Sequence, residues 1–245
     1  MWCFETELGN FFTIRNGRVG LSGNSGKTLA LTFLAVNNFN KKGRRIYSNY
    51  TLYGIPFTPI RSMPNLDKMK KGFFAGDELW LWCDSARSLD ARTLFVNKIL
   101  LKSRKREITI AYTTQSIGQI HKRIRDVTDF VAYPLMSVDN TYCRLEIFRG
   151  NRPSMATRMK PPIYFETEPI YAVFNTYEEV QPIKEEEQEL EEIFIPIMKN
   201  PAWIRYMREK LGITSIARME KYSKRIEKII NPEGITSSEQ LQEIF

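Results

Sequence analysis

A chain of 245 residues with 42% hydrophobic and 26% charged side chains has the composition of a soluble globular protein, which excludes a disordered chain or a collagen-like fibre. Its length suits one α/β domain plus a small appendage. The net charge of +8 is uneven: residues 1–182 carry 26 basic against 16 acidic side chains, or +10, and residues 183–245 carry 10 against 12, or −2. That surplus suits a polyanionic partner on the main domain. One histidine, His121, and three scattered cysteines, Cys3, Cys83 and Cys143, provide neither zinc-ligand spacing nor a disulfide framework. Any metal must therefore be held by oxygen, and a reducing cytoplasmic compartment is expected. No basic-then-apolar leader opens the chain, and the apolar run Leu29 to Val36, broken by Thr32, falls short of the roughly 20 residues that cross a bilayer, so no membrane is expected.

In chain order, Asn16-Gly17 between two β-rich runs is a hairpin signal, because both central residues tolerate positive φ. A Gly/Ser cluster follows, and from Lys27 the residues Leu29, Leu31, Phe33, Leu34, Val36 and Phe39 predict a largely buried helix. Arg45–Leu52 reads as a strand, 54–64 with its prolines as a loop, and Phe73-Phe74-Ala75 as a short buried strand ending in Gly76-Asp77-Glu78. Helical spacing covers Ser88–Ser103, and Glu107–Thr114 alternates as a strand. A short helix through Ile117, Ile120, Ile124 and Val127 then leads to a strand over Phe130–Met136. This β-α-β alternation predicts a mostly parallel sheet covered by helices. Thr141–Arg149 and Ile163–Tyr177 read as an antiparallel extension, Lys184–Glu192 as an acidic linker, and the residues from Pro196 as amphipathic helices with Trp203, Tyr206, Met207 and Leu211 on one face. The division expected is 1–182 for the main domain and 183–245 for the linker and helical region.

Gly23-Asn24-Ser25-Gly26-Lys27-Thr28 stands between a strand and a buried helix, where backbone N–H groups and the helix dipole can enclose a triphosphate. Gly26 permits close approach of the backbone, Lys27 is a point charge for the β and γ groups, and the Thr28 hydroxyl can ligate Mg²⁺. The pattern G-x-x-x-x-G-K-S/T is broken at its first place by Leu21. The apolar strand ending in Asp77-Glu78 supplies what such a loop needs next: Asp77 to hold Mg²⁺ opposite Thr28, and Glu78 to orient and partly deprotonate the attacking water. An ordinary solvated strand end is the plain alternative. Ile110-Ala111-Tyr112 turns polar at Thr113-Thr114-Gln115, which aims the Gln115 amide at a γ-phosphate. Lys102, Arg104, Lys105 and Arg106 precede that strand, and Lys122, Arg123 and Arg125 follow it. These cations suit transition-state charge or a nucleic-acid backbone; a solubilising surface with local ion pairs is the competing reading.

Taken together, the order of elements resembles the HerA-FtsK branch of P-loop ATPases, in particular the genome-packaging or DNA-translocating ATPases of archaeal viruses and related mobile elements. The resemblance covers about residues 18–180. It rests on Gly23–Thr28, Ile46–Tyr50, Asp77-Glu78-Leu79-Trp80, Asp84–Ser88, Ser103–Arg106, Thr113-Thr114-Gln115 and Ile124-Arg125-Asp126 through Asp129. It implies a P-loop, RecA-like fold with the acidic and glutamine strands placed beside the phosphate-loop strand, and Mg²⁺-ATP hydrolysis in a ring, usually hexameric, acting on double-stranded DNA. An arginine finger near the start of the glutamine strand maps onto Arg104 or Arg106, with Arg106 preferred. Leu21 departs from the family pattern. The similar zonular-occludens-toxin-like assembly proteins of filamentous phages usually carry a membrane helix, which favours DNA packaging for this chain, in host cytoplasm or with the virion. The tail lies outside the resemblance and is expected to bind DNA, dock on a capsid or portal component, or brace the ring. The alternative is a nucleotide switch for virion assembly or mobile-element DNA transfer without processive movement; a small-molecule kinase comes third, because Glu78 beside Asp77 suits water activation.

Overall fold

The computed structural model describes residues 3–5, 11–15, 18–22, 26–84, 86, 90–150, 152–186 and 189–234, with side-chain surroundings from Gly26 onward. The main sheet has four strands in the order β5-β4-β6-β7, formed by β4 (Arg45–Ser48), β5 (Thr58–Pro59), β6 (Gly72–Gly76) and β7 (Ile108–Tyr112). All three pairings are parallel, with Ile46 beside Phe73 and Phe74 beside Ile110. Every residue of β6 is buried, as expected of a parallel strand covered on both faces. Gly72 meets a specific need: a Cβ there would lie 2.6 Å from the Arg45 carbonyl oxygen and 2.8 Å from the Tyr47 ring.

Alternation along β4 and β6 divides the interior. Ile46 and Phe73 face one core, shared with Leu29, Ala35 and Phe39 of helix α1 (Lys27–Lys42). Tyr47 and Phe74 face the other, shared with Leu66 of α2 (Met63–Lys68) and Val96, Ile99 and Leu100 of α3 (Ala91–Leu101). Helix α1 stops at Gly43, whose left-handed φ of 55° lets its N–H cap Asn38 and Phe39 carbonyls, with Lys41 and Lys42 at the negative end of the dipole.

Three expectations about strands change. Phe130–Met136 forms β8, but it pairs antiparallel with β9 (Tyr142–Arg149), which pairs with β10 (Ile163–Glu166), in a separate sheet of order β10-β9-β8. The parallel alternation thus ends at β7. Pro134 gives the reason: it has no N–H for a ladder, and an edge strand tolerates that where an interior parallel strand does not. The antiparallel extension also ends at Glu166, since Glu168–Tyr171 is a helical turn, α5. Finally, β3 (Arg18–Ser22) pairs antiparallel with β2 (Phe11–Arg15), which pairs with β1 (Cys3–Glu5). The acidic and glutamine strands β6 and β7 are neighbours, but among the described pairings β3 is bonded to β2 rather than beside them. A hairpin closing at Arg15 and Arg18 needs only a very short loop, so the local pairing is cheap in chain entropy. Its turn residues Asn16 and Gly17 lie outside the described residues.

The C-terminal helices α6 (Pro201–Glu209) and α7 (Ile216–Ile230) put Trp203, Met207, Met219, Ile226 and Ile230 into the same core as α1. Trp203 stacks on Tyr206 and donates from Nε1 to Ser223 Oγ at 3.0 Å. Leu211, expected on the buried face, lies beyond the end of α6 and is exposed. Among the described residues no helix is long and apolar enough to cross a membrane.

Candidate functional site

The carboxyl ends of parallel strands gather polar ends of otherwise apolar segments, which is where ligands of open α/β sheets bind. Here β6 delivers Asp77, β7 delivers Thr113, the end of β4 delivers Asn49, and the first turn of α1 delivers Lys27 and Thr28. The Thr28 hydroxyl lies 3.2 and 3.1 Å from the two Asp77 carboxylate oxygens and donates to them. Thr113 Oγ1 donates to Asp77 Oδ1 at 2.5 Å and accepts from the Glu78 N–H at 2.9 Å. Asn49 brackets the same residue's backbone, donating from Nδ2 to the Asp77 carbonyl and accepting the Asp77 N–H at Oδ1, both at 2.7 Å. Two parallel neighbours thus fix the strand end from both sides.

Asp77 is only 8% exposed. Burial raises its carboxyl above the ordinary carboxylate range, while hydrogen bonds from Thr113 and Thr28, the Glu78 backbone and the Lys27 charge pull the other way. A desolvated carboxylate beside a hydroxyl and a lysine suits a cation and a phosphate better than it suits an empty interior. The donor set fits Mg²⁺, which prefers hard oxygen ligands and keeps waters and phosphate oxygens in its remaining positions. Thr28 and Asp77 would hold it. Among the described residues, no three His, Cys, Asp or Glu side chains converge on a point that could hold a metal by themselves.

Gly26 opens α1 in the left-handed region, φ 67°, and a Cβ there would sit 2.9 Å from the Met136 sulfur. The end of β8 therefore packs over the head of α1, a contact that its place outside the parallel sheet makes possible. Gly23, Asn24 and Ser25 lie outside the described residues. Glu78 is half-buried with a left-handed φ of 45°, capping the turn Leu79–Leu81. Gln115 is exposed, two residues beyond Thr113.

The arginines lie elsewhere. Arg104 and Arg106 belong to the 3-10 turn Ser103–Arg106 before β7, so they sit at the amino end of the strand, whereas Asp77 sits at the carboxyl end. A five-residue strand separates the two ends by about 16 Å. Arg106 pairs with the Asp67 carboxylate at 2.6 Å and also donates to the Asp67 carbonyl. Arg104 pairs with Asp129 at 2.8 Å. Neither pairs with Asp77. Lys122, Arg123 and Arg125 lie on the short helix α4 (Lys122–Asp126), the first two exposed and Arg125 half-buried. His121 caps that helix, accepting the Arg123 N–H at Nδ1.

The sequence reading assigned no task to Asn49, Tyr50 or Glu178, and it aimed Gln115 rather than Thr113 at the site. A pocket beside Thr28 and Asp77 is also lined by Tyr50, Asn175, Thr176 and Glu178. Thr113 had a signal, being the first polar residue after Ile110-Ala111-Tyr112. Glu178 had none, since its partner Thr51 is 127 residues away.

No protein-family model matches this chain, and no curated protein matches it. Among solved structures, the crystal structure of the N-terminal domain of zonular occludens toxin from Neisseria meningitidis is similar with a TM-score of 0.44 and 16% identity, over 62% of this chain and 94% of that one.

Proposed function

We propose that the protein is a Mg²⁺-dependent ATPase that drives double-stranded DNA through a ring of its own copies, a hexameric genome-packaging motor of the HerA-FtsK type. The observation that carries this reading is the Thr28 hydroxyl on the Asp77 carboxylate, which joins the head of the first buried helix to the acidic strand end. Lys27 and the N-terminus of α1 bind the phosphates. Mg²⁺, when bound, neutralises charge on the β and γ groups. Glu78, next to Asp77, orients water and takes its proton as the water oxygen bonds to the γ-phosphorus and the bond from that phosphorus to the oxygen of the leaving ADP breaks, giving ADP and inorganic phosphate. Gln115 senses the γ-phosphate. Because Arg106 and Arg104 lie at the opposite end of β7, an arginine finger acts on the neighbouring subunit's nucleotide. The surplus of basic side chains in residues 1–182, with Lys122, Arg123 and Arg125 among them, supplies DNA-backbone contacts, and the C-terminal helices offer a docking surface for a capsid or portal component.

The test is ATP turnover with and without double-stranded DNA. Lys27→Ala should lose nucleotide binding, whereas Glu78→Gln should keep ATP bound while hydrolysis falls about 100-fold or more. DNA should stimulate turnover, and rising salt should remove the stimulation, because releasing counterions from the DNA into a more concentrated salt solution gains less free energy. Hydrolysis indifferent to DNA and salt would leave a nucleotide switch and not a translocase. Undiminished turnover in Glu78→Gln would take that residue out of catalysis.

A further inference from the structure

Part of the wall around the Thr28–Asp77 pocket comes from a segment outside the parallel sheet. Residues 172–178 follow α5, and Asn175, Thr176 and Glu178 line the pocket together with Thr28 and Asp77. The segment is tied down at two points. At its start, the Asn200 side chain, fully buried at the N-cap of α6, donates from Nδ2 to the Ala172 and Phe174 carbonyls at 3.3 and 2.7 Å. At its end, the Glu178 carboxylate accepts the Thr51 N–H at 3.1 and 3.0 Å and the Thr51 hydroxyl at 2.9 Å. Between them the chain turns tightly, with the Glu178 N–H donating to the Asn175 carbonyl and the Tyr177 N–H donating to Asn175 Oδ1.

The chemistry of this arrangement is specific. A carboxylate receiving a backbone N–H and a hydroxyl from one residue makes charge-assisted bonds, stronger than those of a neutral acceptor. Glu178 therefore acts on the chain and not as a base. Asn175 spends its carbonyl oxygen on Tyr177, so its NH₂ group is the part suited to an acceptor on a ligand, and the exposed Thr176 hydroxyl either donates or accepts. Both suit phosphate or ribose oxygens.

We propose that Glu178 is a positioning residue of the nucleotide site: by tying residues 175–178 to Thr51 at the end of β4, it holds Asn175 and Thr176 against the polar groups of the bound nucleotide. This rests on the ATPase reading above. Asn200 braces the same wall from α6, which makes the C-terminal helices part of the site's support.

The experiment titrates the full-length chain with a fluorescent ATP analogue and Mg²⁺, and follows amide hydrogen exchange over residues 171–178 with and without nucleotide. The proteins are wild type, Lys27→Ala, Glu178→Gln, Thr51→Val, the pair Glu178→Gln/Thr51→Val, and Thr176→Ala. Glu178→Gln and Thr176→Ala should each weaken binding by about five- to tenfold, and the pair should bind about as Glu178→Gln alone, because Thr51→Val removes the hydroxyl bond of the same tie that Glu178→Gln deprives of its charge. Nucleotide should slow exchange over 171–178 in wild type and far less in Glu178→Gln. A purely structural role would lower the denaturation midpoint and leave nucleotide affinity alone. Should Glu178→Gln lose its cooperative unfolding transition, the exposed Thr176→Ala decides. Affinity within twofold of wild type in Glu178→Gln and Thr176→Ala, with Lys27→Ala unable to bind, would overturn this proposal and leave the ATPase reading standing. Equal binding by wild type and Lys27→Ala would overturn the ATPase reading, and this proposal with it.

Discussion

The two ends of the parallel strands use the same kinds of side chain under opposite conditions. At the carboxyl end, Asp77 is nearly buried and is held by the Thr28 and Thr113 hydroxyls, with Asn49 fixing its backbone. At the amino end, Asp67 pairs with Arg106 and Asp129 with Arg104, and all four groups keep contact with water; the Arg104 and Asp129 side chains are 80% and 63% exposed. A buried carboxylate costs free energy unless partners offset it, whereas a solvated ion pair contributes little in either direction. The carboxyl end therefore keeps a buried acidic group that needs three neighbouring side chains to offset its desolvation, an arrangement that suits a ligand. The amino end holds its charges loosely, so another partner can recruit them.

The largest expected effect on stability is at Asp77. Asp77→Ala strips the acceptor from two hydroxyls and should cost about 1–3 kcal/mol in chemical denaturation, besides ending Mg²⁺-dependent nucleotide binding. Asp77→Asn separates charge from shape. Burial raises the folded-state pKa of Asp77 above its unfolded value, so the folded protein holds that proton more tightly. Its contribution is then most favourable in acid and declines as pH rises from the unfolded value through the raised folded one. Relative to Asp77→Asn, which carries no such proton, the wild type should lose stability as pH rises above about 4. Glu192 is shifted upward by burial as well, with Arg45 opposing, but it is present in both proteins and drops out of the difference. A wild type that gains on the variant over this range would mean that the hydrogen bonds outweigh burial.

How much of this could be read beforehand follows from range along the chain. Helix α1, strands β6 and β7 and helix α3 are continuous apolar patterns, so their periods identify them, with ends trimmed by one or two residues: the strand expected over Glu107–Thr114 is Ile108–Tyr112. The pairing of Lys27-Thr28 with Asp77 follows from strand-end chemistry. Strand β8 was misplaced because an apolar run reports burial and not which sheet provides it; Pro134 was the one local sign of an edge. The Thr51–Glu178 and Asn200–Phe174 contacts join distant segments through single polar groups, which leave no periodic trace. The charge boundary near residue 182 is real in composition, yet the helices beyond it share a core with α1, because charge describes surface and Trp203, Met207 and Met219 describe interior.

Arg106 comes next in size and sharpens the contrast. Its side chain is 23% exposed and its partner Asp67 51%, so Arg106→Ala should lower stability by at most about 1 kcal/mol. If it also serves a neighbouring subunit's nucleotide, hydrolysis should fall by about 1,000-fold or more with ATP still bound. Mixing Arg106→Ala with Lys27→Ala should then restore measurable turnover, since one interface in a mixed ring combines an intact phosphate loop with an intact arginine. Absence of recovery in rings shown by size to be mixed would remove Arg106 from that task.

Arg104→Ala should have the smallest effect. The Arg104–Asp129 pair is the more exposed of the two, and a long side chain held in one geometry at the surface loses about as much entropy as the screened attraction returns. The denaturation midpoint should stay where it is in wild type, in low salt and in high salt alike, because a pair that contributes nothing has nothing for salt to screen. A midpoint lowered in dilute buffer and restored to the wild-type difference of zero at high salt would show that the amino end also stores stability in its charges, and that the contrast with Asp77 is one of degree.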